Sequence, residues 1–181
     1  MTLLGLIALI TGVLGVLLTI KQSVWCWPAA LISVITSSIE FYDQRLFGDM
    51  ALQVFYFISG LYGWYYWGKN KADTFSVTKT PSPMWLILIG STALQYIVYY
   101  FLLHKFKGDK VIIDALLTAA SITATFMMTK KWLENWLAWV LIDLTYVFLY
   151  GVKNMWLFAV LYLVFTIMAA YGYLQWKKKE S

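Results

Sequence analysis

The sequence is poor in what soluble enzymes are made from. Of its 181 residues only 13% are charged, and it has one histidine, one cysteine and three prolines. A lone cysteine, Cys26, excludes an intrachain disulfide and a cysteine-built metal site. No G-x-x-x-x-G-K-S/T phosphate loop, no H-E-x-x-H pair and no G-x-S-x-G elbow occurs, so ATP hydrolysis and zinc proteolysis lose their main requirements. An intramembrane enzyme would need a nucleophile with a base, or paired carboxylates, and the chain offers one isolated mid-span acid, Asp143. The expectation is a protein that is not an enzyme and needs no cofactor or metal.

What is abundant is grease. Hydrophobic residues make up 61% and aromatic residues 19%, with a mean hydropathy of +0.69. A soluble domain has too little interior to hide that much apolar surface, since such domains run nearer half apolar and a quarter charged. The excess must face a lipid bilayer, and the chain divides into seven apolar runs. They are residues 3–20, 24–42, 50–68, 83–103, 111–129, 132–151 and 154–176. Each is long enough, or nearly so, to cross about 30 Å of hydrocarbon as a helix. The runs are apolar on every side, which excludes the period-two alternation of a membrane barrel. The expected fold class is an all-α membrane protein of seven transmembrane helices in one integral membrane domain, residues 1–181. The first run lacks a basic flank and reads as a retained helix, not a cleaved signal.

The net charge of +5 does not point to nucleic acid, because the basic residues sit in short loops where they orient helices. Lys21, Lys69, Lys71, Lys79, Lys130, Lys131 and Lys177 to Lys179 share one side with the C-terminus. Arg45, Lys105, Lys107, Lys110 and Lys153 fall on the other. The richer side is expected to be cytoplasmic, leaving the N-terminus outside.

The third and seventh runs both end Y-G-x-x-x-W, at Tyr62-Gly63 to Trp67 and Tyr171-Gly172 to Trp176. The displacement that carries Gly63 onto Gly172 also carries Lys21 onto Lys130, Trp27 onto Trp136 and Thr36 onto Thr145 without a gap. The reading is a 3-1-3 arrangement, with three-helix repeats at 3–68 and 111–176 and a linker helix at 83–103. Four helices per displacement make the repeat parallel, as in the SWEET sugar transporters, whose substrate sites lie near mid-membrane at the repeat interface. The competing reading is that interfacial helix ends collect Tyr, Trp and Lys for their own reasons.

Helix 6 carries the most chemistry. Trp132, Trp136, Trp139, Asp143, Tyr146 and Tyr150 are spaced three and four apart, so they share one stripe. A carboxylate about 16 Å into the span costs several kcal/mol unless it meets a partner. A flat cation would gain from the ring faces, roughly 0.5 to 2 kcal/mol per ring, and would find a counter-charge in Asp143. Helix 3 offers Gln53, Tyr56, Gly60, Trp64 and Trp67 as a second stripe, with an amide whose partner is either a ligand or a neighbouring helix. Glu134 and Asn135 open helix 6, where capping competes with a part in the site. The candidate substrate residues are Gln53, Tyr56, Trp64, Asn135, Trp136, Trp139, Asp143, Tyr146 and Tyr171, on the two sides of a site between the repeats.

Four stretches carry a resemblance. Leu52-Gln53-Val54-Phe55-Tyr56-Phe57, Tyr62-Gly63-Trp64-Tyr65-Tyr66-Trp67, the run from Met128 to Trp139, and Gly172-Tyr173-Leu174-Gln175-Trp176 resemble the PnuC family of bacterial vitamin transporters, in order and over nearly the whole chain. The resemblance implies a SWEET-like fold, a place in the bacterial cytoplasmic membrane and a homo-oligomer, specifically a trimer. It also implies facilitated diffusion of nicotinamide riboside, trapped inside by phosphorylation. Relatives carry thiamine, and others are associated with riboflavin or deoxynucleosides. The pyridinium of nicotinamide riboside and the thiazolium of thiamine both meet the demand for a cationic heterocyclic vitamin, and the residues do not choose between them. A non-transporting membrane scaffold, with both stripes as packing surfaces, is the reading from another class.

Overall fold

The computed structural model describes residues 2–43, 47–70, 75–105, 111–152 and 154–180, without the side chains of residues 40, 41, 47–51 and 157. Arg45, Lys71, Lys107, Lys110 and Lys153, used above to orient the chain, lie outside the described residues. The described chain is helical apart from two isolated bridges. Its helices are α1 (Leu3–Ile20), α2 (Cys26–Asp43), α3 (Phe47–Lys69), α4 (Ser82–Lys105), α5 (Val111–Thr129), α6 (Asn135–Val152) and α7 (Trp156–Lys177). Among the described residues, five helices contain a stretch long and apolar enough to cross a membrane: α1, α4, α5, α6 and, from Phe158, α7.

Two compact units divide the chain, Met1–Phe75 and Ser76–Ser181. In the first, α2 packs against both α1 and α3; in the second, α4 packs on α5, α5 on α6 and α6 on α7. The helix expected as a linker thus belongs to the second unit, where Thr92 on α4 shares a 2.6 Å hydroxyl hydrogen bond with Thr123 on α5.

The helix boundaries follow the same displacement as the sequence motifs. The displacement that moves Gly63 onto Gly172 moves Cys26–Asp43 onto Asn135–Val152, and α1 and α3 fall within a residue of α5 and α7. The turns that stop α1 and α5 are the same turn. Gln22 N donates to Thr19 O (2.8 Å) and Ser23 N to Leu18 O (2.9 Å); Lys131 N donates to Met128 O (2.9 Å) and Trp132 N to Met127 O (3.1 Å). This is the bond pair of a Schellman cap, which requires a left-handed residue and favours glycine. Here Gln22 (φ 58°) and Lys131 (φ 54°) adopt it, at a cost of about 1 kcal/mol for a residue with a Cβ.

Each repeat is pinned by the same knot. In the first unit Trp27 stands edge-on to Trp67 with ring centroids 5.5 Å apart, and Gly63 leaves room for its indole. In the second, Trp136 stands edge-on to Trp176 at 5.3 Å over Gly172. All four indoles are buried. Edge-to-face geometry places the positive rim of one ring on the negative face of the other, adding about 1 kcal/mol to the burial of two large side chains. The shared Y-G-x-x-x-W ending is therefore packing: glycine admits the indole and the tryptophan four residues on clamps it.

Candidate functional site

Helix α6 presents two unlike faces. Leu137, Leu141, Leu144 and Phe148, spaced four, three and four, are exposed and offer an apolar stripe to lipid. Asn135, Trp136, Ile142, Asp143 and Leu149 are buried, with Trp139, Tyr146 and Tyr150 half-buried beside them. The polar stripe expected on this helix points inward.

Its polar atoms are under-used. Asp143 is 6% exposed and, among the described residues, has no hydrogen-bond or ion-pair partner. One turn earlier, the indole N–H of Trp139 is buried with no acceptor among the described residues, and the same is true of Trp136 Nε1. Asn135 is wholly buried; its Nδ2 donates to Trp132 O at 2.6 Å, while Oδ1 receives nothing from the described residues. Buried polar groups are nearly always paired, because each orphan costs about 1–3 kcal/mol. One acceptor amide, one indole donor and one carboxyl are thus left open on successive turns of one face among the described residues.

The aromatic side of this set extends onto α7. Tyr146 stacks on Tyr162 at 4.5 Å, and Tyr150 stacks on Tyr162 at 5.5 Å and on Phe158 at 5.3 Å, with interplanar angles of 28°, 21° and 26°. A column of near-parallel rings thus stands one turn from Asp143. Tyr162 was not among the sequence candidates. Its signal was the sequence displacement, which carries Gln53 onto it.

The helix α3 stripe is brought together only in part. Gly60 and Trp67 are buried, and Gln53 and Tyr56 are half-buried. Gln53 lines an open groove of about 240 Å³ with Val34, Ile35, Ser38, Ile39, Val54 and Phe57. Trp64 is 42% exposed and lies with Leu61, Tyr65, Gly68 and Lys69 along a second open groove. Tyr171 is 52% exposed beside buried Gly172. The structure therefore keeps Asn135, Trp139, Asp143 and Tyr146 together, commits Trp136 to the knot, and leaves Trp64 and Tyr171 on outer surface.

A polar group missed at the sequence level lies on α4. Gln95 carries a buried Oε1 without a donor among the described residues, and the reasoning that singled out Gln53, an amide inside an apolar helix, applied to it equally. Among the described residues no group of three or more His, Cys, Asp or Glu gathers as a metal site.

Comparison with known proteins gives a consistent picture. The model of a family described as nicotinamide mononucleotide transporter matches residues 2–178. The Nicotinamide riboside transporter PnuC of Escherichia coli is 27% identical over 195 residues, covering 92% of this chain and 82% of that protein. Its namesake from Neisseria mucosa is 23% identical, covering 95% of this chain and 71% of the relative. The Riboflavin/roseoflavin transporter RibM of Streptomyces davaonensis is 24% identical, covering 92% and 81%. A crystal structure of the vitamin B3 transporter PnuC superposes with a TM-score of 0.78 at 22% identity, over 97% of this chain and 80% of that one.

Proposed function

The chain belongs to the nicotinamide mononucleotide transporter family, and on that footing we propose that it carries nicotinamide riboside across the bacterial inner membrane by facilitated diffusion. It is a multi-pass vitamin transporter; the riboside as substrate and its trapping by phosphorylation inside the cell are our reading. The observation that carries it is Asp143, a buried carboxyl with no described partner, flanked by the open Trp139 N–H and Asn135 Oδ1 and by the Tyr146–Tyr162 stack. A pyridinium supplies the charge Asp143 lacks. The tyrosine faces receive its ring, and the indole donor and amide acceptor take the hydroxyls of a ribose. This reading keeps Gln53 and Tyr56 of α3 as substrate residues.

The charge separates the named relatives' substrates. Isoalloxazine is neutral and leaves Asp143 without a counter-ion, whereas nicotinamide riboside and thiamine both carry a ring cation. We read the repeats and α4 as a 3-1-3, SWEET-like bundle, functioning as a trimer, with the C-terminus in the cytoplasm and the N-terminus outside. Support for the first comes from the matched helix boundaries. Support for a common side comes from residues 77 and 78, which pair with Glu180 after α7 and with Trp132 between α5 and α6.

The test is binding and proteoliposome uptake across nicotinamide riboside, thiamine and riboflavin. Saturable uptake of nicotinamide riboside, weakened by Asp143→Asn in a protein that melts normally, is expected. Uptake of thiamine alone would move the assignment to that vitamin, and absence of uptake with every compound would leave a membrane scaffold.

A further inference from the structure

The segment that leads into α4 is bound more tightly than a connection needs. Val77, with no exposed surface, pairs with Glu180 beyond the end of α7. Thr78 N donates to Lys131 O (3.2 Å) and Thr78 O accepts from Leu133 N (2.9 Å), closing a bridge to the turn between α5 and α6. Lys79 Nζ lies 3.3 Å from Glu180 Oε1. Thr80 makes the strongest contact: its backbone N–H (2.8 Å) and its hydroxyl (2.7 Å) both donate to Oε2 of Glu134. Residues 77–80 thus tie the start of α4, the turn before α6 and the end of α7 into one strap.

Glu134 immediately precedes Asn135, the first residue of α6 and the first of the open polar groups. The first repeat carries Trp25 at the matching position, largely exposed, so this carboxylate is a departure from the repeat. Two charge-assisted donors on one oxygen fix a side chain far more firmly than a single neutral bond. We propose that the Thr80–Glu134 pair is a latch that positions the N-terminal turn of α6, making Glu134 and Thr80 positioning residues for substrate although neither touches it.

This inference rests on the site reading above. When only a fraction of molecules holds a binding-competent arrangement, the apparent dissociation constant rises by the reciprocal of that fraction. An open latch that leaves α6 in register a fifth of the time therefore weakens half-saturation about fivefold and leaves the maximal rate unchanged.

The experiment is vitamin uptake into proteoliposomes by Thr80→Val, Thr80→Ser and Glu134→Gln, with hydrogen exchange at the Thr78 and Leu133 amides. Thr80→Val is expected to raise the half-saturation concentration about fivefold at unchanged maximal rate and to speed exchange at both amides. Thr80→Ser, which keeps the hydroxyl, should behave as wild type. Glu134→Gln, which keeps an acceptor without the charge, should fall between, and it serves if Thr80→Val does not fold. Unchanged half-saturation in a folded variant overturns the latch, as does a fall in maximal rate alone or exchange that stays slow. Failure of the transport reading looks different: the wild-type protein itself takes up no vitamin, and the positioning role falls with it.

Discussion

Replacing Gly172 with alanine places a methyl group where the Trp136 ring already lies. The added Cβ would sit 2.8 Å from Cδ2, Cε2 and Cε3 of that indole, about 1 Å inside the separation at which carbon atoms attract. The ring has nowhere to retreat, because Trp176 clamps it edge-on and both indoles are buried. Overpacking of this kind costs about 1–3 kcal/mol. Alanine returns up to about 1 kcal/mol of helix propensity, but that gain shrinks where the denatured chain keeps its helices, as apolar spans do in detergent. The expected net loss is about 1–2 kcal/mol, or several degrees in melting temperature for a domain of this size. Gly63→Ala should cost at least as much, since its Cβ would approach Trp27 more closely still. Gly68→Ala and Gly90→Ala are the controls, with nothing within 4 Å of either position. Melting of purified protein followed by tryptophan fluorescence reads all four. Equal melting of Gly172→Ala and the controls would refute the knot as a close-packed support.

The site and the turns give three further expected outcomes. Asp143→Asn should weaken binding of a cationic vitamin by about 10-fold or more, the worth of one charge-assisted interaction in a dry setting, while leaving the melting temperature near wild type; titration calorimetry reads it. Trp139→Phe keeps an aromatic ring and deletes the N–H, so affinity should fall about 5-fold, whereas Leu141→Ala, on the exposed stripe of the same helix, should leave affinity unchanged. Gln22→Gly relieves a left-handed turn residue and should raise stability by up to about 1 kcal/mol, less the added freedom of the unfolded chain, measurable as a small upward shift in melting.

The seven helices were legible in the sequence because lipid demands long apolar runs and the breaks between them are polar, although among the described residues five contain a stretch apolar enough to cross a membrane. Helix α6 begins at Asn135 instead of residue 132, and α2 at Cys26 instead of residue 24, because the left-handed turn at Lys131 and at Gln22 is followed by residues that bond locally, Asn135 N to Trp132 O and Cys26 N to Ser23 O. Helix α3 begins at Phe47, ahead of the apolar run at 50–68. The stripe on α6 was legible because one acid among aromatic residues at helical spacing has a single sensible direction. The stripe on α3 was not: its buried edge runs through Gly60, Gly63 and Trp67, and Trp64, about 100° around the helix from Gly63, turns away. Small residues set that edge by what they admit, and spacing alone gives them no weight beside a tryptophan. Thr80 escaped notice, and Glu134 was read only as a cap or a site residue, because a hydroxyl and an acid in separate loops carry no periodic signal that pairs them.

The two halves agree in the residues that pack and differ in several polar residues. The paired indoles and their glycines correspond, as do the hydroxyls of Thr36 and Thr145, each returned to a carbonyl one turn back. Asn135, Trp139 and Asp143 instead answer to Cys26, Ala30 and Val34, and Gln53 answers to Tyr162. On the proposed site of α6, a substrate would meet polar groups that the first half does not repeat. For engineering, the frame and the proposed palate are separable: Asp143 can be exchanged while the tryptophan clasps inside each unit stay as they are.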